Sequence, residues 1–147
     1  MSNIEKEKPR VVFVCTGNTC RSVLAEYLSR KIIGPSVLFE SAGIMPGVAE
    51  DTENAVYTLK QFYDIDASGH VPRHVNTLEM TTYTLVVVLD KRAKTIVESL
   101  GVEKTRVKFW NIQDPYGDDI EEYRATSKKI IENIRKLKAS GDDNIEG

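Results

Sequence analysis

Four consecutive apolar residues, Val11 to Val14, run directly into the stretch CTGNTCRS and from there into apolar positions at helical spacing. No other feature restricts the fold as much. A strand with no polar side is buried on both faces, which occurs in parallel sheets covered by helices above and below. A parallel neighbour needs a crossover, and the segment from Cys20 to Ile33 supplies one. Val23, Leu24, Tyr27, Leu28 and Ile32 fall on one helical stripe, which Gly34-Pro35 ends.

The same alternation recurs to the end of the chain. Val37 to Glu40 reads as a second strand followed by the loop SAGIMPG. A second helix spans Asp51 to Tyr63, with Asp51 or Thr52 as its cap and Ala55, Val56, Leu59 and Phe62 as its buried stripe. ASGHVPRHVN reads as a loop, with a turn of helix within Thr77 to Thr82. TLVVVLD is the third strand, Lys91 to Leu100 a helix, Thr105 to Trp110 the fourth strand, and Ile120 to Ala139 a long final helix. Strands joined by right-handed helical crossovers predict an α/β fold: a single-domain three-layer α/β/α arrangement with a four-stranded parallel sheet. Residues 10–139 form the domain, 1–9 a flexible polar tail and 140–147 a polar end. Ligands in such sheets sit beyond the carboxyl ends of the strands. That rule singles out Cys15 to Arg21, Ser41 to Gly47, the chain after Asp90, and Asn111 to Asp119.

Composition removes several function classes. A net charge of −2 provides no general basic field for nucleic acid, and the longest apolar run, Leu85 to Leu89, is too short to span a membrane. MSNIEKEKPR lacks the features of a secretion signal, so a cytoplasmic location is expected. There two close cysteines point to catalysis, redox chemistry or metal binding rather than a disulfide framework.

The loop after the first strand fits an anion. Cys15 leaves the strand where the backbone turns into a helix N-terminus, and the helix dipole, free amides and Arg21 all favour negative charge there. Five residues separate Cys15 from Arg21, enough to curl amides around a tetrahedral oxyanion, and Thr16, Gly17, Asn18, Thr19, Cys20, Arg21 and Ser22 are expected to bind phosphate. Gly17 and Asn18 permit a left-handed turn, and Arg21 offers a two-pronged donor. Ser22 either donates to the Cys15 sulfur or is a simple helix-start serine. Attack by Cys15 on phosphorus gives a phosphocysteine intermediate, and Asp114, stiffened by Pro115, is placed to protonate the leaving group.

These residues resemble the low-molecular-weight protein tyrosine phosphatase family. The likeness rests on CTGNTCRS after VVFV, SAG at 41–43, SGHVPRHV at 68–75, VVVLD ending at Asp90 and DPYG at 114–117, in that order. The resemblance implies Cys15 as nucleophile, Arg21 as phosphate clamp, Asp114 as general acid and Ser22 as thiolate stabiliser. It further implies that Asn18 shapes the loop, that His70 supports it from behind, and that Ile44, Met45 and Tyr116 flank the crevice. Cys20 matches a cysteine able to form a reversible disulfide with the nucleophile. No cofactor or metal is implied, and the partners are phosphorylated proteins.

Three other readings compete with this one. Cys15-x4-Cys20 with His70-x3-His74 has ligand types and spacings used by zinc, but Arg21 beside the thiols repels a cation. One class of arsenate reductases shares the fold and the C-x5-R-S loop, yet relays oxidation to further cysteines, and none follows Cys20. A non-catalytic phosphopeptide-binding module would have no need of both Cys15 and Asp114. For the leaving group, phosphotyrosine ranks first because of the aromatic Tyr116. Phosphoarginine is the alternative because Thr16 resembles a branch acting on that residue, where its hydroxyl positions a guanidinium nitrogen.

Overall fold

The structure, a computed structural model, describes residues 8–139. The expected polar end at 140–147 and most of the expected tail lie outside the described residues. β1 (Arg10–Cys15), β2 (Leu38–Gly43), β3 (Leu85–Val88) and β4 (Val107–Phe109) form one sheet in the order β2-β1-β3-β4, and every pairing is parallel. α1 (Arg21–Ile32), α2 (Glu53–Tyr63), α3 (Lys91–Ser99) and α4 (Ile120–Ala139) are the crossovers and the closing helix.

β1 shows why an all-apolar strand suits this position. Its alternation survives as two destinations: Val11, Phe13 and Cys15 face one hydrophobic cluster, while Val12 and Val14 face the other. The first cluster is built with α1, α2 and α4, which also pack on one another. α3 covers the opposite face, helped by Val75, Met80 and Tyr83. The sheet is therefore covered on both sides, by three helices on one and by one helix plus an irregular segment on the other. α1 ends where Gly34 takes a left-handed φ of 95° and its amide caps the Arg30 carbonyl.

Three boundaries depart from the sequence reading. β2 runs on through Ser41-Ala-Gly43, which composition marked as loop, because Gly43 pairs with Cys15 at the end of the ladder. α2 is preceded by a 3-10 turn at Ala49–Thr52, and neither Asp51 nor Thr52 caps α2 itself. The helical turn expected within 77–82 is two 3-10 turns, Val75–Thr77 and Met80–Thr82.

The register fixes the site. Cys15 pairs with Gly43, Val14 with Val88, and Val88 with Phe109, so all four strands end at one edge. β1 lies between β2 and β3, where the strand order reverses direction, and the loop after it opens into the crevice of a doubly wound sheet. Among the described residues no helix is long and apolar enough to cross a membrane.

Candidate active site

Residues 15–22 close around a pocket of about 200 Å³, lined by Cys15, Thr16, Gly17, Thr19, Cys20 and Arg21 from this loop. Asn18 and Ser22 lie beneath it, fully buried. The left-handed residue of the curl is Asn18, with φ of 54°, whereas Gly17 does not take a positive φ. The segment that follows β2 braces the loop from the side: the amides of Ile44, Met45 and Gly47 donate to the carbonyls of Cys15, Thr16 and Gly17 at 3.2, 2.8 and 3.0 Å. This approach needs glycine at 43, where a Cβ would meet the Thr16 carbonyl oxygen at 2.8 Å.

The polar side chains under the loop form a network whose donor directions are all determined. Asn18 Nδ2 donates to Ser22 Oγ at 2.8 Å and to Ser41 Oγ at 2.9 Å, using both amide protons, while its Oδ1 accepts from the Arg73 amide at 3.1 Å. Turning the amide over would set its protons against the Arg73 N–H. Ser22 Oγ thus has its own proton free for Cys15 Sγ at 3.0 Å, and the Asn18 amide adds a second donor to that sulfur at 3.3 Å. Ser41 passes its proton to Glu26, which also pairs with Arg30. His70 Nε2 donates to the Asn18 carbonyl at 3.2 Å, and its Nδ1 stands 3.9 Å from Glu26. Burial pushes the Glu26 carboxyl up, opposed by Ser41 and Arg30, and burial pushes the His70 imidazole down, opposed by its bond to Asn18.

Arg21 is equally well held. Nη1 donates to the carbonyls of Leu89 and Ile112 at 3.4 and 3.1 Å, and Nη2 meets Asp90 at 3.1 Å and Asp114 at 3.5 Å. Its Nε is buried without a partner. Leaving such a donor unsatisfied costs ~1–3 kcal/mol, and an anion in the pocket that Arg21 lines is the partner that would relieve it. Among the described residues no group within the protein accepts from the amides of Gly17, Thr19 or Cys20 either. Asp90 organises this corner with both oxygens. Oδ1 caps α3 through the Ala93 amide at 2.7 Å, and Oδ2 collects the Thr16 amide, the Thr16 hydroxyl and Arg21.

Thr16 is consequently not a free hydroxyl donor, since its proton goes to Asp90 at 2.9 Å. The other pocket hydroxyl, Thr19, makes only a 3.6 Å contact with the Cys20 sulfur. Cys20 faces Tyr123 of α4 at 3.1 Å, and burial pushes its thiol up to about 11. Both cysteines are free thiols. The two imidazoles that spacing offered to zinc turn to backbone groups: His70 to Asn18 and His74 to the Asn76 amide.

The far wall comes from other loops. Asp114 reaches over the pocket with 49% of its side chain exposed, and Tyr116 stands beside it. The Tyr116 hydroxyl donates to Asp51 at 3.1 Å, and both residues line the pocket together with Met45 and Gly47. Ile44, expected on the same wall, lies outside this lining and borders a neighbouring groove. Asp51, Ser41, Glu26, Arg73 and Tyr123 had no assigned place in the site from sequence. The available signal for Glu26 was a charge interrupting the buried face of α1 one turn after Ser22.

Comparison with known proteins gives the family and the fold. A sequence model of the low molecular weight phosphotyrosine protein phosphatase family matches residues 10–145. The chain is similar to an arsenate reductase 2 of Staphylococcus saprophyticus, 32% identical over 134 residues, covering 89% of this chain and 97% of that protein. It also superposes on the low molecular weight protein tyrosine phosphatase from T. tengcongensis, with a TM-score of 0.80, 28% identity, and coverage of 90% of this chain and 99% of the other. Against the YwlE arginine phosphatase from Geobacillus stearothermophilus the TM-score is 0.75 and the identity 29%, over 90% of this chain and 94% of the other. A cysteine loop built to receive a tetrahedral anion, on this sheet and in this order of motifs, thus makes the chain a cysteine-dependent phosphatase belonging to the low molecular weight phosphotyrosine protein phosphatase family.

Proposed function

We propose that the protein hydrolyses phosphoarginine in protein substrates. Cys15 Sγ attacks phosphorus, Asp114 gives its proton to the departing guanidinium nitrogen as the P–N bond breaks, and Arg21 with the loop amides holds the phosphoryl oxygens. Asp114 then takes a proton from water, whose oxygen displaces sulfur from phosphorus and releases inorganic phosphate. Ser22 and the Asn18 amide hold the sulfur through both displacements, with Asn18 and His70 supporting the loop.

The observation that carries the choice of leaving group is the acceptor character of the wall. Carboxylates of Asp51 and Asp114 and the Thr19 hydroxyl line it, and Tyr116 is the one aromatic among the described lining residues. A guanidinium is a flat cation made of N–H donors, and such a wall suits it better than a phenol ring. Phosphotyrosine is the second reading, favoured by the exposed Tyr116 ring against which a phenol can stack. Arsenate reduction is less well supported, despite relatives bearing that name. The chain's only cysteines are Cys15 and Cys20, so no outlying thiol carries oxidation from the loop to the surface. A Cys15–Cys20 disulfide that guards the nucleophile belongs to the same proposal, and requires Cys20 to leave Tyr123.

The test is kcat/KM of the wild-type protein on matched peptides carrying phosphoarginine or phosphotyrosine. Preference for phosphoarginine is expected; a tenfold or greater preference for phosphotyrosine would reverse the assignment.

A further inference from the structure

Ile44 and Met45 are adjacent in sequence where β2 leaves the sheet, yet only Met45 lines the phosphate pocket. Both border a second groove of about 470 Å³, whose opposite bank is Arg92, Thr95 and Ile96 of α3. The spacing of those three residues places them on one helix face. Met45 is 66% exposed and Ile96 39% exposed, so apolar side chains face water on both banks. The Arg92 guanidinium has no ion-pair or hydrogen-bond partner among the described residues.

We propose that this groove is a recognition subsite for the substrate polypeptide, taking an apolar side chain that flanks the phosphorylated residue while Arg92 pairs with an acidic neighbour. The proposal rests on the protein-phosphatase reading above. Continuity identifies the occupant: Met45 belongs to both spaces, so a chain whose modified residue enters the phosphate pocket crosses Met45 to reach the groove. Charge supplies the polarity. On the other side of the pocket, Glu50, Asp51, Glu53 and Tyr116 line a further hollow, which repels an acidic flank. The side bearing Arg92 attracts it, so the two rims orient the substrate chain in one sense.

The experiment scans phosphopeptides, made in phosphoarginine and phosphotyrosine forms, with Leu-Glu, Leu-Lys or Ala-Lys placed at successive positions on each side of the modified residue. Wild type should prefer Leu-Glu on one side only, by about tenfold in kcat/KM, as expected for one buried apolar side chain. Ile96→Asp should abolish the preference, and Arg92→Glu should shift it from Glu to Lys beside the same Leu. Both variants should turn over p-nitrophenyl phosphate, too small to reach the groove, at the wild-type rate. The subsite is overturned if wild type shows no side preference, or if both variants keep it. Turnover of no phosphopeptide by wild type would overturn the protein-phosphatase reading and the subsite with it, an outcome distinct from turnover without preference.

Discussion

The two chemical halves of the site are built in opposite ways. In the 15–22 loop the side chains beneath the pocket are buried and engaged, and Cys15 is held by donors that trace through Ser22, Asn18 and Ser41 to Glu26. The 114–117 arm lies in the open. Asp114 is half exposed and touches Arg21 at 3.5 Å and the Tyr116 amide at 3.0 Å, and Tyr116 is 57% exposed with one side-chain bond to Asp51. The difference follows from what the proposed mechanism asks of each half. An anion cradle gains by being fixed before the substrate arrives, since no reorganisation is then needed during reaction. An acid that must reach leaving groups on large proteins gains from access.

The contrast predicts that damage to the arm separates activity from stability, whereas damage under the loop cannot. Asp114→Asn should lower turnover of a phosphopeptide about a thousandfold, and far less for p-nitrophenyl phosphate, whose leaving group needs no proton. Denaturant unfolding of this variant should stay within about 0.5 kcal/mol of wild type, because a half-exposed ion pair contributes little. Equal losses on both substrates would remove Asp114 from the acid role.

Asn18→Ala should fail in both assays. It removes one donor each from Ser22 and Ser41, leaves the Arg73 amide without its acceptor and puts alanine at a positive φ, costing about 3 kcal/mol in unfolding experiments, together with most turnover. A stable, inactive Asn18→Ala protein would show that the network is catalytic only and not a structural floor.

The smallest effect probes that floor by pH. His70 has its value pushed below 6.5 by burial, so the folded protein favours the neutral ring and the unfolded chain binds the proton first. Its contribution to stability is therefore present above 6.5 and lost as pH falls through that value toward the lower folded one. Glu26, raised from 4.5, acts with the opposite sign: its contribution is present at low pH and lost as pH rises through its folded value. Comparing wild type with His70→Gln isolates the histidine. The wild-type unfolding midpoint should drop more steeply below pH 6.5 than that of the variant, and parallel curves would place His70 outside the buried network.

The same contrast explains what was legible in the sequence. That Cys15, Arg21 and Asp114 line one pocket was readable, because the strand-to-helix junction places the first two and the rule of strand ends brings the loop holding Asp114 to the same sheet edge. The network was not. Cys20 meets Tyr123 from 103 positions away, Asp51 meets Tyr116 from 65, and Thr16 meets Asp90 from 74. No local periodicity records such pairings. Ser41-Ala-Gly43 reads as a loop because glycine weakens a strand, while the packed chain needs that glycine for β2 to pass the Thr16 carbonyl. Ile44 was expected at the crevice from the family resemblance, but it borders only the neighbouring groove, whereas Met45 lines both that groove and the phosphate pocket.

The claim beneath all of this is that Cys15 carries the phosphoryl group in mid-reaction. Rapid-quench mass spectrometry during turnover of a phosphopeptide, with peptide mapping of residues 11–21, tests it directly. The account predicts one added phosphoryl group on Cys15, formed and lost at rates that match turnover. Turnover with no adduct, or with the adduct on Cys20, would contradict it.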